Sequence, residues 1–172
     1  IQSRYSYTKQ SECNWFNLDG TFLTELEVVN NNKNYLIVKT ESDKYGAIQS
    51  DGKLAIEPIH DTLEYCTDNV FLSTNERDGL ITSSIVDNVG NVVFSTLSDV
   101  VFKDGFFTVN TSEQNEQWIS VDGNVTYIGH ATPLSSNYLK VYKNKKCGVL
   151  DKNGDKVINF IYDDIVFCKT FF

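Results

Sequence analysis

The chain has no methionine, only two histidines and only four cysteines in 172 residues, and it is poor in positive charge. Fifteen Lys and Arg stand against 23 Asp and Glu, a formal net charge of −8. Nucleic-acid binding draws on counterions released by clustered Lys and Arg, so nucleic acid is excluded as the expected partner. The single basic knot, Lys143, Lys145 and Lys146, has the composition of a solvated turn. No apolar run approaches the roughly 18 residues of a membrane-spanning helix, and no signal-like segment opens the chain. The sequence therefore reads as soluble, without membrane insertion. Four cysteines are too few for a disulfide framework in a chain of this length, and none form a Cys-x-x-Cys pair, so no structural zinc is expected. Beginning at Ile1 and lacking Met, the chain reads as a mature fragment or as part of something longer.

What is present is enough for a core: 41% of residues are hydrophobic and 13% aromatic. Glycines preceded mostly by Asp or Asn recur at Gly20, Gly52, Gly90, Gly123 and Gly154, spaced 32, 38, 33 and 31 residues apart, which marks an array of repeats. Four residues before each glycine stand Phe16, Ile48, Val86, Ile119 and Leu150; four residues after stand Thr24, Ile56, Phe94, Tyr127 and Ile158. These columns predict two strands joined at each glycine. Asp-Gly and Asn-Gly pairs suit two-residue hairpin turns in which both central residues take positive φ, and Val89-Gly90 departs from that pattern.

Nine residues past the glycine, Asp61, Asp99 and Asp163 each precede an apolar stretch, Leu63 to Cys66, Val100 to Phe102 and Ile165 to Cys168, read as a third strand. A fourth follows a turn residue, as at Asn34, Asn69, Gly105 and Asn137. The expectation is an all-β chain of five tandem units of about four short strands, near 4–38, 39–74, 75–110, 111–143 and 144–172. Such units bury their faces only by packing on one another, as a propeller-like closed ring or as an open stack. A strand around Arg4 to Thr8 would complete the last unit in the closed form.

The second unit runs Lys44-Tyr45-Gly46-Ala47-Ile48-Gln49-Ser50-Asp51-Gly52 and on to His60-Asp61. The fifth runs Lys146-Cys147-Gly148-Val149-Leu150-Asp151-Lys152-Asn153-Gly154 and on to Tyr162-Asp163. Both resemble the WG repeat family, whose unit opens with Lys-Trp-Gly-aromatic-Ile-Asp, passes an Asn-Gly or Asp-Gly turn and reaches a Tyr-Asp. Tyr45 and Cys147 hold the Trp position, while Trp15 and Trp118 stand two places nearer the turn, in the column of Ala47, Ile85 and Val149. The copies are degenerate. The resemblance implies binding or scaffolding and carries over no catalytic residue.

No catalytic constellation stands out. His60 and His130 have no repeated Ser or Cys companions in their columns. Asp151-Lys152-Asn153-Gly154-Asp155 has its glycine fourth, and Tyr162 occupies the place of a closing Glu, so it does not fit a calcium loop. Neither a metal nor another cofactor is expected. Cys13 and Cys147 share one column and Cys66 and Cys168 another, and all four read as buried free thiols. Asp61, Asp99 and Asp163 read as acceptors for backbone amides at the start of the third strand. Asn110-Thr111-Ser112 and Asn124-Val125-Thr126 match the glycosylation pattern.

The expected function is non-enzymatic: a repeat module that binds another protein, as part of a larger secreted or surface assembly. Glycan or cell-envelope recognition is the alternative, and an enzyme with a site between units ranks last. Trp15 and Trp118 are the candidate ligand-binding residues, set against a packing role in which they fill space that Ala47 leaves empty.

Overall fold

The computed structural model describes residues 15–16, 22–24, 26–32, 34–67, 69–110 and 116–168, and of 15, 16, 22 and 23 it describes the backbone alone. The β-branched and aromatic columns form strands, as their preference for a pleated, half-buried surface dictates, and the described residues contain no helix. The chain divides into two compact units, Ile1–Val92 and Val93–Phe172.

In the first unit a hairpin of β1 (Trp15–Phe16) and β2 (Phe22–Thr24) precedes a four-stranded sheet. That sheet is β3 (Glu27–Asn31), β4 (Tyr35–Lys39), β5 (Tyr45–Gln49) and β6 (Leu54–His60), in that order. The second sheet runs β7 (Thr62–Thr67), β8 (Val70–Arg77), β9 (Leu80–Val86) and β10 (Val92–Thr96), and the division of the chain falls inside β10. The second unit holds a third sheet, β11 (Val100–Lys103), β12 (Phe106–Asn110), β13 (Glu116–Ile119) and β14 (Val125–Ile128). Its other sheet, the fourth, is β15 (Ala131–Ser135), β16 (Tyr138–Lys143), β17 (Lys146–Asp151) and β18 (Lys156–Tyr162). Strands adjacent in sequence are adjacent in space, so every sheet is an antiparallel meander.

Among the described residues there are four four-stranded sheets, not five. Gly52, Gly90, Gly123 and Gly154 each join the third and fourth strands of a sheet, so the expected boundaries near 38, 74, 110 and 143 fall by the end of each second strand. The expected strand Ile165 to Cys168 does not form; among the described residues nothing pairs with it, and an extended segment without a ladder partner is not a strand. Of the first repeat the described residues before β3 include the β1–β2 pair, and Arg4 to Thr8 lie outside them. Each four-stranded sheet is open, with two edge strands, and none closes on itself.

The recurring turn is also not the two-residue kind. Gln49 N donates to Lys53 O at 2.8 Å and Gly52 N to Gln49 O at 2.9 Å, and the same two bonds recur from Asp87, Ser120 and Asp151. Only the glycine is left-handed, with φ of 88°, 88°, 82° and 85° at Gly52, Gly90, Gly123 and Gly154. This is a three-residue loop, a type I turn closed by a glycine bulge. It explains Val89-Gly90: the residue before the glycine needs no positive φ, so Val is accepted there. The two-residue loops with both residues at positive φ lie elsewhere, at Asp78-Gly79, Asp104-Gly105 and Asn144-Lys145.

Side chains along a strand alternate faces, and in β4 both faces are buried. Tyr35 and Ile37, with Ala47 and Ile56, pack against Leu63, Phe71 and Val86 of the second sheet. Leu36, Val38 and Ile48 form a separate cluster with Leu26 and Val28. In the second unit Phe106 and Trp118 of the third sheet meet Ala131, Leu139, Val141 and Leu150 of the fourth. At roughly 1.5–3 kcal/mol for each large apolar side chain buried, these sheet-on-sheet layers are the main source of stability.

Candidate functional site

The residues that carry the family resemblance have a structural task, the same in the first and fourth sheets. Tyr45 opposes His60 and Ala47 opposes Ile56, so three residues of β6 lie across from Gly46 alone. Cys147 opposes Tyr162 and Val149 opposes Ile158, giving the same bulge across from Gly148. The bulge brings the neighbouring strand onto the glycine: a Cβ at Gly46 would stand 2.6 Å from Ile56 O, and one at Gly148 would stand 2.6 Å from Ile158 O.

The flanking Lys and Asp close the far end of each bulge. Lys44 Nζ pairs with Asp61 Oδ1, and Lys146 Nζ with Asp163 Oδ1 at 2.5 Å. Asp61 Oδ2 also accepts the Glu76 amide of β8 at 2.7 Å. The Lys44 ammonium, helped by that amide, holds the Asp61 carboxyl below the usual carboxylate range. These carboxylates are therefore tied chiefly to the repeat's own lysine rather than to amides of the adjoining turn.

Among the described residues, the groups with catalytic potential are not gathered into a site. His60 is buried, its Nδ1 donating at 3.1 Å to the Asn75 side-chain oxygen while the Asn75 nitrogen donates to the Ile59 and Thr74 carbonyls. Burial pushes its pKa down, so the ring is neutral at neutral pH. His130 stacks on Tyr142 with ring planes 22° apart. Burial pushes the Cys66 thiol up to about 12, which leaves it protonated and a poor nucleophile. Cys147 is buried as expected, whereas Cys168 is exposed, because the segment carrying it is not part of a sheet; Cys13 lies outside the described residues. Asp151 Oδ1 accepts the Asn153 and Asp155 amides at 2.9 Å each, an engagement inside its own turn. Thr126 of the second glycosylation pattern donates its hydroxyl to Lys152 O at 2.7 Å, and residues 111 and 112 of the first lie outside the described residues.

Of the two candidate ligand-binding residues, Trp118 is 1% exposed. Its indole Nε1 donates to Gly129 O at 3.2 Å and its ring meets Phe106 edge-on. That is a packing position between two sheets. Trp15 lies on β1, and its side chain is outside the described residues.

The structure instead points to a surface that the sequence columns did not single out, the outer face of the fourth sheet. Opposite the variable column Ala47, Ile85, Trp118 and Val149 stand Ile37, Leu72, Thr108 and Lys140. Only in the fourth sheet is that place charged. Lys140 Nζ reaches out to Asp164 Oδ1 at 2.9 Å and Ile165 O at 3.2 Å, pinning the segment after β18 to this face. Tyr35 of the first sheet is 5% exposed, whereas Tyr138, at the same register position of the fourth, is 38% exposed. Between β18 and the pinned segment lies a cavity of about 440 Å³ lined by Val157, Ile158, Asn159, Tyr162 and Ile165. Around it Val157, Ile161, Tyr162, Val166 and Phe167 are exposed. The lysine among uncharged equivalents was the signal available in the sequence.

No family model matches the chain, and no curated protein matches it. Among solved structures, the computationally designed Ika8 protein is similar over 90% of this chain, at 14% identity and a TM-score of 0.40. The chain spans 59% of the length of that protein.

Proposed function

We propose that this chain is a non-enzymatic β-repeat module of the WG type that binds another protein through the outer face of its fourth sheet. Its finer architecture, in this proposal, is a propeller-like or open-stacked series of the four-stranded sheets. The observation that carries the reading is the mixed character of the apolar residues exposed along β18 and the segment after it: the aliphatic Val157, Ile161 and Val166 and the aromatic Tyr162 and Phe167. Contiguous exposed apolar surface in a folded chain marks an interaction site. Aliphatic side chains mixed with aromatic ones suit a protein surface better than a sugar face, which favours flat exposed rings. Trp15 is retained as a candidate contact, and Trp118 is assigned to packing.

The test compares the wild type with an Ile161→Asp/Val166→Asp variant of matched melting temperature. Chemical crosslinking in the source extract, read by mass spectrometry, should give a protein adduct mapped to residues 157–167 that the variant loses. An adduct of equal yield in both, or binding to a glycan array that Tyr162→Ala abolishes, would contradict the reading.

A further inference from the structure

Resting on that protein-binding reading, we infer that the outer face of the fourth sheet takes an extended strand from its partner, which adds to residues 164–168 and places an aromatic side chain over Ile158. The first unit shows what covers this face when it is complete. There β7 follows β6, and Leu63 and Tyr65 of β7, with Phe71 of β8, pack onto Tyr35, Ile37, Ala47 and Ile56. Counted from the turn glycine, Ile165 stands where Leu63 does, Phe167 where Tyr65 does and Cys168 where Cys66 does.

The chain thus carries the side chains of a first strand at 164–168, docked on the face by Lys140, yet the segment pairs with no strand among the described residues. Phe167 is exposed, whereas Tyr65 is partly buried and packs edge-on against Phe71 at 5.5 Å between ring centroids. The cavity beside Ile158 and Ile165 corresponds to the layer that Phe71 fills in the first unit.

Among the described residues, the element that this face lacks is the counterpart of β8. Tyr65 pairs with Phe71 and Leu63 with Ser73, so the incoming strand needs an aromatic residue opposite Phe167 and a small one two places on, opposite Ile165. Main-chain hydrogen bonds to 164–168 would supply affinity and the aromatic pocket specificity, as in other strand additions.

The probe is a capped peptide of residues 69–77 of this chain, Asn-Val-Phe-Leu-Ser-Thr-Asn-Glu-Arg, titrated into the intact protein by calorimetry. The expected result is saturable one-to-one binding, weakened at least tenfold by Ile158→Asp or Ile165→Asp in the protein and by Phe71→Ser in the peptide. Ile59→Asp, an exposed position on β6, should leave it unchanged, and amides 164–168 should exchange more slowly in the complex. No binding by the wild type overturns the inference, as does binding indifferent to Ile158→Asp and Ile165→Asp. Slow exchange at 164–168 without peptide also overturns it, assigning the face to a second copy if the protein sediments as a dimer and to the chain's own Arg4 to Thr8 if it sediments as a monomer. If the crosslinked partner above persists while the peptide fails, strand addition alone is refuted and the protein-binding reading stands.

Discussion

At the scale of single residues, burial decides what each conspicuous side chain does. Trp118 loses contact with Phe106 and with the fourth sheet when truncated, so Trp118→Ala should lower the unfolding free energy by about 3–5 kcal/mol in a denaturant titration. A change near zero would return the indole to the list of surface anchors. His60 takes up its proton at lower pH than a surface histidine. Its pKa is lowered by burial, so its contribution to stability is present above the ordinary value of 6.5 and is lost as pH falls below that value through the lowered one. Midpoints measured between pH 8 and pH 4.5 should show this acid-side loss in the wild type and a flatter profile in His60→Gln. Here the sequence was half informative. It located both residues on strands, but whether a tryptophan in a variable column faces a neighbour or solvent depends on which sheets stack.

At the scale of elements, two local devices recur: a glycine in the last turn of each four-stranded sheet, and a glycine beneath a bulge in the first and fourth sheets. The turn device requires left-handed backbone at the glycine alone. Gly90→Val should therefore cost about 1–2 kcal/mol, whereas Val89→Asn should change stability by less than about 0.5 kcal/mol, both read from thermal melts. Equal losses would mean that the loop has some other geometry. The bulge device depends on contact instead of conformation. Gly148 is not at positive φ, yet a Cβ there would strike Ile158 O, so Gly148→Ala should cost about 1–3 kcal/mol. The strands and the all-β class were legible because hydrophobic columns and turn residues are local signals. The loop type and the grouping of strands into sheets were not, because hydrogen-bond register links residues that no short window contains. Val89 could have revealed the loop type, since a β-branched residue is a poor occupant of a position that needs positive φ.

At the scale of the whole molecule, the account is one of repeated four-stranded meanders, with a first-strand sequence after the fourth that pairs with no strand among the described residues. The candidate surface was only faintly legible. Lys140 among Ile37, Leu72 and Thr108 marks the face that differs, but the apolar cavity beside it exists only once β18 and residues 164–168 are folded together. Hydrogen exchange followed residue by residue in the free protein tests this account most directly. Inner strands with partners on both sides, β4, β5, β8, β9, β12, β13, β16 and β17, should hold the slowest amides, opening only with global unfolding. Residues 164–168 should exchange with little protection. Fast exchange throughout β16 and β17, or protection of 164–168 equal to that of β7 in the free monomer, would contradict it.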